Sequence, residues 1–342
     1  MPESDVLSAQ ENKPLTSRRH DGQPIFRHVL ACVDASSASL AALAHAAAIA
    51  SATGARLTAI RVVEPPAGQV STDPVEWQMC LRDAEVELKD HLLKFPEIDT
   101  RAVVKGGQAA ECICTWASAN GVDLTVLSAT GERNWRFAGL GSTARRVVEA
   151  TNSSVFLVPR SEPGDTPVRY RRVMTPLDGS PRSECALPIA MAIAAAHAAE
   201  VVLVHAAPNI DLIEIGPVEA EAIALRDKLR QRNKLVAEKY FQQVKSRLPP
   251  KPVTPRTRVL AGGDPRHALA HAAVADGSDI IVLSSTGLSG HPDLSIGSVA
   301  EYLISHADKP ILLVRAHDCA PSRTHRRIGD APAVRLPSRA LN

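Results

Sequence analysis

The sequence predicts an α/β protein of two tandem domains, each a parallel sheet of five strands flanked by helices. The chain has 342 residues, enough for about two domains of roughly 150 residues. It also contains an internal duplication, because residues 29–36 reappear as 173–180 and residues 127–131 as 283–287. Within each copy, short β-rich runs alternate with helical ones, which is typical of parallel sheets with right-handed crossovers. A repeat of this length is too long for a solenoid and indicates two like domains.

The elements of the first copy follow in order from its hydrophobic pattern. An apolar run at 29–33 predicts the first strand, and the Ala-rich segment 39–53, ended by Gly54, predicts the first helix. The second copy repeats this order from a strand at 172–177 to a last strand at 311–314. The other predicted elements of the first copy are strands at 56–63, 100–105, 123–128 and 154–158 and helices at 75–95, 109–120 and 142–150.

Composition shifts along the chain suggest the domain limits. The two domains are expected at 25–160 and 169–316, joined by a Pro- and Gly-containing linker at 161–168. Residues 1–24 lack periodicity and are predicted to form a disordered arm. The basic segment 317–342 is predicted to be a disordered tail.

Composition excludes several function classes. With 39 basic and 37 acidic residues, the net charge is +2, too small for a globally electrostatic nucleic-acid binder. Aromatic residues make up 3%, which argues against a stacking platform for single strands. Six cysteines in so long a chain do not indicate a disulfide scaffold. Neither a signal peptide nor a membrane-spanning apolar run is visible, so we expect a cytoplasmic protein without nucleic acid or membrane as partner.

A ligand-binding site is expected where the winding of a doubly wound sheet reverses, at the carboxyl ends of its first and fourth strands. In the first domain Asp34 follows the first strand, Ser128 and Gly131 follow the fourth, and Gly141 and Ser142 open the next helix. Glycine lets backbone N–H groups approach an anion, and a helix N-terminus adds unpaired donors. The aspartate suits a ribose hydroxyl or an adenine amine, so the pattern predicts a mononucleotide site. The second domain carries the matching residues Asp178, Ser284, Gly287, Gly297 and Ser298.

The spacing of these residues resembles a family motif. Ser128-x2-Gly131-x9-Gly141-Ser142 and its second copy resemble the G-x2-G-x9-G-[ST] nucleotide motif of the universal stress protein family. The resemblance covers about residues 25–160 and 170–315 and indicates a tandem universal stress protein. Two features depart from the family pattern. The first motif glycine is serine in both copies, and Cys32 stands where the second copy has Pro176.

The resemblance implies a fold, a ligand and a mode of association. The fold would be flavodoxin-like or Rossmann-like, of the adenine nucleotide alpha hydrolase-like kind, and the ligand ATP, with or without Mg²⁺. The adenine edge would meet the backbone near Val62 and Ala206. The domains would pair through their last strands, residues 155–158 and 311–314, giving self-association.

The predicted function is that of an ATP-binding stress-response regulator. Two alternatives stay open: a slow ATPase or autophosphorylating protein, with only Asp34 and Asp178 as candidate bases, and a nucleotide-free scaffold assembled through its last strands. We assign no catalytic residue and no metal ligands. A P-loop lysine and a nucleophile elbow are missing from the sequence, and the pair His267 and His271 lacks a third ligand.

Overall fold

The computed structural model describes residues 25–65, 73–129, 139–161, 164, 166–207, 220–248, 252–260, 262–288 and 295–315. The predicted arm at 1–24, the predicted tail at 317–342 and the motif residue Gly131 lie outside these ranges. No helix within these ranges combines the length and the apolar character needed to cross a bilayer.

The first half of the chain alternates strands and helices as the sequence predicts. Its elements within the described ranges are β1 (His28–Cys32), α1 (Ser37–Thr53), β2 (Arg56–Val63), α2 (Pro74–Leu92), β3 (Thr100–Gly106), α3 (Ala109–Ala119), β4 (Leu124–Ser128), α4 (Ser142–Ala150) and β5 (Ser154–Val158).

The second half repeats this order, with its first helical segment divided in two. Its elements are β6 (Arg172–Pro176), α5 (Pro181–Glu184), α6 (Ala186–His197), β7 (Glu200–Ala206), α7 (Ala220–Arg247), β8 (Arg256–Leu260), α8 (Pro265–Ala275), β9 (Ile280–Ser284), α9 (Ser298–His306) and β10 (Ile311–Val314).

The ten strands of the described residues belong to one sheet, in the order β3-β2-β1-β4-β5-β10-β9-β6-β7-β8. Each half is internally parallel, and the winding reverses between β1 and β4 and between β6 and β9. The predicted α/β class is confirmed, and the reversal lies between the first and fourth strands of each half. The two five-stranded sheets are continuous with each other through their last strands.

The join between the halves is made by the last strands. β5 and β10 pair antiparallel, with Phe156 opposite Leu312 and Leu157 opposite Ile311. The pairing through last strands that we expected therefore occurs inside one chain. The expectation that copies self-associate through these strands needs correction, because each edge already pairs with the other half.

Local sequence explains how the helix that follows β1 begins and ends. The Ser36 side chain accepts a hydrogen bond from the Ser39 N–H, 3.2 Å away, and so caps the N-terminus of α1. At the other end Gly54 adopts a left-handed conformation with φ 67°, which glycine takes without strain. The many alanines of α1 have small side chains, so the helix packs close to the sheet and about half of its residues are buried.

The core extends across the join between the halves. One apolar cluster covers one face of the sheet and includes Phe156 from the first half and Val173 and Ile193 from the second. A second cluster on the other face likewise draws on both halves, with Val155 and Leu313 among its members. Because both clusters are shared, the two halves stabilise each other by apolar burial as well as by strand pairing.

A group of aromatic and histidine side chains lies where α1 and α6 meet at the join. His45 Nδ1 lies 2.8 Å from the hydroxyl of Tyr170, which is 2% exposed. The His45 ring also meets Phe156 edge-on at 5.9 Å, and Tyr170 meets His197 at 5.0 Å. Burial lowers the pKa of His45 to about 4, because the protonated ring would lose its hydration there.

This pKa predicts an acid-dependent loss of stability. The ordinary value is 6.5, so the unfolded chain takes up the proton first as pH falls. The contribution of neutral His45 is complete above about pH 6.5 and is lost as pH falls towards 4. Between about pH 7 and pH 5, we expect the free energy of unfolding to fall by about 2 kcal/mol more in the wild type than in a His45→Gln variant. Urea titrations at the two pH values measure this, and equal losses in both proteins would contradict it.

Candidate functional site

Each half has an aspartate just after its first strand, at the winding reversal where a doubly wound sheet forms a crevice. Asp34 Oδ1 accepts a hydrogen bond from the Ser36 N–H at 2.8 Å, and Asp178 Oδ1 accepts one from the Ser180 N–H at 2.9 Å. The Ser180 hydroxyl also donates to Asp178 Oδ1, at 2.6 Å. Both aspartates therefore shape the turn that starts the following helix, a role that the sequence analysis did not assign to them.

In the second half the aspartate also holds the motif loop. The N–H of Leu288 donates to Asp178 Oδ2 at 2.6 Å. A Cβ atom on Gly287 would lie 2.3 Å from the same oxygen, so the loop backbone can approach this closely only because residue 287 is glycine. Asp178 thus connects the end of β6 to the loop that follows β9.

Hydrogen bonds keep the Asp178 carboxylate ionised. Burial alone would raise the pKa of this carboxyl, but the hydrogen bonds from Ser180, Leu288 and Ser183 outweigh burial and hold the pKa below its usual value. At neutral pH the crevice of the second half therefore contains a negative charge beside the first strand.

The motif glycine contact leads to a stability prediction. We expect Gly287→Ala to lower the free energy of unfolding by about 1–3 kcal/mol, since the new methyl group displaces Asp178 from its bond with the Leu288 N–H. Gly297→Ala is the matched control, because its Cβ would lie 3.5 Å from the nearest atom, Ser285 O, an ordinary contact. Urea titration compares the two, and equal stabilities would show that the Asp178 contact is not needed.

The next helix begins beside the strand end in both halves. Gly141 N–H donates to Ala129 O at 2.8 Å, and Gly297 N–H donates to Ser285 O at 2.7 Å. These equivalent bonds bring the chain back to the strand end after the motif loop, so that α4 and α9 start at the crevice. Neither N-cap glycine provides a side-chain hydrogen bond to its helix. Their N-cap residues therefore leave N–H groups of the first turns of α4 and α9 without a side-chain cap, which suits an anion.

The predicted serines differ in their surroundings. Ser142 and Ser298, the first residues of α4 and α9, are exposed, so both hydroxyls are accessible. Ser284 is buried, and its hydroxyl donates to the carbonyl oxygen of Thr286 within the loop. Ser128 ends β4 at the matching position of the first half.

Val62 and Ala206 lie at the same edge of the sheet as the aspartates. Ile60 pairs with Cys32, so Val62 lies two residues beyond the end of β1 on the neighbouring strand. The same offset places Ala206 beyond Val204, the partner of Pro176. The structure thus gathers all the described predicted residues at two equivalent strand ends.

The sequence analysis missed one side chain of the second crevice. His205 Nδ1 lies 2.8 Å from the carbonyl oxygen of Leu177, the residue before Asp178. The matching residue in the first half is Arg61, which instead forms an ion pair with Glu87 on α2. Aligning the two copies shows that histidine in the second copy replaces arginine in the first. It does not show that His205 contacts Leu177 or that Arg61 pairs with Glu87. Within the described ranges, no group of three or more His, Cys, Asp or Glu side chains could hold a metal ion.

Comparison with known proteins agrees with this architecture of two doubly wound α/β domains with equivalent loop-and-helix crevices. The model of the universal stress protein family matches residues 25–159 and again residues 169–315. The chain belongs to the universal stress protein family.

Individual relatives are distant. A universal stress protein from Mycobacterium tuberculosis is 23% identical over 198 residues, which cover 57% of this chain and 63% of the relative, less than two thirds of its length. One from Thermus aquaticus is 29% identical over 146 residues, covering 43% of this chain and 99% of the relative. The crystal structure of a universal stress protein from Archaeoglobus fulgidus has a TM-score of 0.54 at 16% identity, covering 84% of this chain and 98% of that chain. Its likeness concerns the fold alone.

Proposed function

We propose that this protein binds an adenine nucleotide, ATP, in the crevice of each half and acts as a cytoplasmic stress-response regulator controlled by that nucleotide. The observation that supports this most is the start of α4 and α9. Both helices begin with an uncapped Gly-Ser pair that a backbone hydrogen bond holds beside the strand end. A duplicated helix N-terminus of this kind, at the reversal of a doubly wound sheet, is suited to phosphate groups.

Different residues of the crevice suit the phosphates, the ribose and the adenine of such a ligand. The N–H groups of the first helical turn, with the accessible hydroxyls of Ser142 or Ser298, would hold the phosphates. The ionised Asp178 would repel phosphate, but it suits a ribose hydroxyl or the adenine amine as a hydrogen-bond acceptor. Asp34 would take the same role in the first half. Any Mg²⁺ would accompany the phosphates.

The hydrogen bond from the Leu288 N–H to Asp178 affects how a nucleotide can bind in the second half. A ribose or adenine donor would compete with the Leu288 N–H for the Asp178 carboxylate, because that N–H already occupies Oδ2. A nucleotide bound in the second half is therefore expected to displace the Leu288 N–H from Asp178. Calorimetry with added ATP would report the number of sites and their separate affinities.

The first test is to identify small molecules bound to the protein. Freshly purified full-length protein is denatured with acid, and the released compounds are separated by anion-exchange chromatography. ATP or ADP near one or two equivalents per chain is the expected result. The proposal would be overturned if no nucleotide co-purified and added ATP gave no heat of binding. Steady release of ADP from added ATP would favour the alternative of a slow ATPase, and phosphate transfer to the protein would favour autophosphorylation.

A further inference from the structure

Exposed apolar side chains are concentrated on two helices. Ten large apolar side chains are exposed among the described residues, and eight lie on α2, on its C-cap residue or on α7. Met79 on α2 is 60% exposed, and Leu235 on α7 is 65% exposed. Single exposed apolar residues are normal on a protein surface, but a concentration of them indicates an interaction surface.

The same two helices carry opposite charges. α2 has five acidic side chains against two basic ones, whereas α7 has eight basic against three acidic. The whole chain is nearly neutral at +2, so these helices represent a local separation of charge. Opposite charges on two apolar surfaces make the surfaces complementary and would guide their encounter.

The two helices cannot meet within one chain. α2 packs on β2 and β3, α7 packs on β8, and β3 and β8 are the outermost strands of the sheet. Strands are spaced by about 4.8 Å, so the ten strands separate these edges by roughly 43 Å. Among the described elements, α2 and α7 can therefore meet only between two molecules.

The surface beside α2 is indented, and the first half of α7 is exposed. Beside α2 lies a cavity of about 410 Å³, with Glu76 and Asp83 among its acidic lining residues and Met79 and Ala84 among its apolar ones. A basic helix with leucine side chains matches such a lining. On α7, none of the described side chains between residues 221 and 236 is buried, while Ala237 and others nearer the C-terminus pack into the core. The first half of α7 thus presents a surface that the described residues of its own chain do not bury.

We propose that the α7 end of one copy docks on the α2 end of a second copy, in a head-to-tail arrangement. Such an interface is heterologous, so it leaves one free α2 and one free α7 at the ends of every assembly. The assemblies would grow with protein concentration and dissociate as salt screens the charges. This association is separate from the nucleotide site and uses neither of the last strands.

The first test uses the unmodified chain. Sedimentation velocity at about 50 mM NaCl is expected to show species larger than one copy, and about 500 mM NaCl should return the protein to single copies. Carbodiimide, which joins carboxylates to lysines at zero length, should link α2 acids to Lys228 or Lys234 in the larger species. A chain that sediments as a single copy at both salt concentrations, or cross-linked dimers without this link, would overturn the proposal.

Charge reversal gives a sharper test. Asp83→Lys/Asp90→Lys leaves α2 with four basic against three acidic side chains. Lys228→Glu/Arg232→Glu leaves residues 221–236 of α7 with four acidic against three basic side chains. All four side chains are exposed, so folding should be kept, and circular dichroism would check it. Each variant alone should associate at least about tenfold more weakly than the wild type, and an equimolar mixture of the two should associate again.

The mixture is the most informative experiment. In it, the unchanged α7 of one variant can dock on the unchanged α2 of the other, although neither variant associates with itself. A charge change of the same size at other exposed positions, Arg169→Glu/Arg171→Glu, is the control and should associate like the wild type. A mixture that stays dissociated, or a control that dissociates equally, would contradict head-to-tail docking through these helices.

Discussion

A Gly141→Val/Gly297→Val double variant is expected to bind adenine nucleotide at least about tenfold more weakly than the wild type, a loss of about 1.4 kcal/mol or more per site. The two glycines have φ of −59° and −82°, so valine adopts their backbone conformation without strain. A Cβ on Gly297 would already lie 3.8 Å from the Gly287 N atom. The two methyl groups beyond it would occupy space at the uncapped helix end, where the phosphates are proposed to bind. Calorimetry with ATP measures the loss.

Controls separate a local effect from unfolding. Gly164→Val makes the same chemical change in the segment between the halves, where the nearest atoms are 4.0 Å from the added Cβ, and should bind like the wild type. The two single variants would assign the loss to one half or to both. A folded double variant with unchanged affinity would show that the nucleotide, if bound, lies elsewhere.

A Phe156→Ala variant is expected to lower the free energy of unfolding by about 3–5 kcal/mol. The Phe156 ring is fully buried at the join between the halves, where the residue pairs with Leu312 and the ring meets His45 edge-on. Removing the ring leaves a cavity in the cluster that both halves share, and so weakens the join itself. Urea titration followed by circular dichroism measures the change.

Phe156→Leu serves as the matched control for this prediction. Leucine keeps most of the apolar volume, so its cost should be clearly smaller than that of alanine. A cost below about 1 kcal/mol for Phe156→Ala would contradict the arrangement, because it would mean that the ring is not packed between the halves.

Much of the fold could be predicted because its signals are local. β2, α4 and β5 begin and end at the predicted residues, since each is an apolar or periodic run bounded by turn-forming or capping residues. The helix predicted to end at 95 instead ends at Leu92 as α2. Helix boundaries of this kind depend on the capping geometry of the last turn, which sequence pattern describes poorly.

The candidate site could be predicted in part for a similar reason. The aspartates and the Gly-Ser pairs stand at motif positions, and the parallel sheet brings the strand ends to one edge. The hydrogen bond between Asp178 and Leu288 could not be predicted, because it joins residues far apart in the chain and depends on how the loop lies over β6. The distribution of charge between α2 and α7 is visible in the sequence, but their positions at opposite edges are not.

The sequence by itself determined the duplication, the alternation of strands and helices, the reversal point of each half, and the positions of the aspartates and Gly-Ser pairs in the repeat. These features follow from periodicity and spacing, which operate over a few residues or repeat along the chain. Only the tertiary structure decided that β5 and β10 pair within one chain to make a single ten-stranded sheet. The physical reason is that an apolar edge strand can pair with any similar edge, and the short linker makes the other half of the same chain the nearest one.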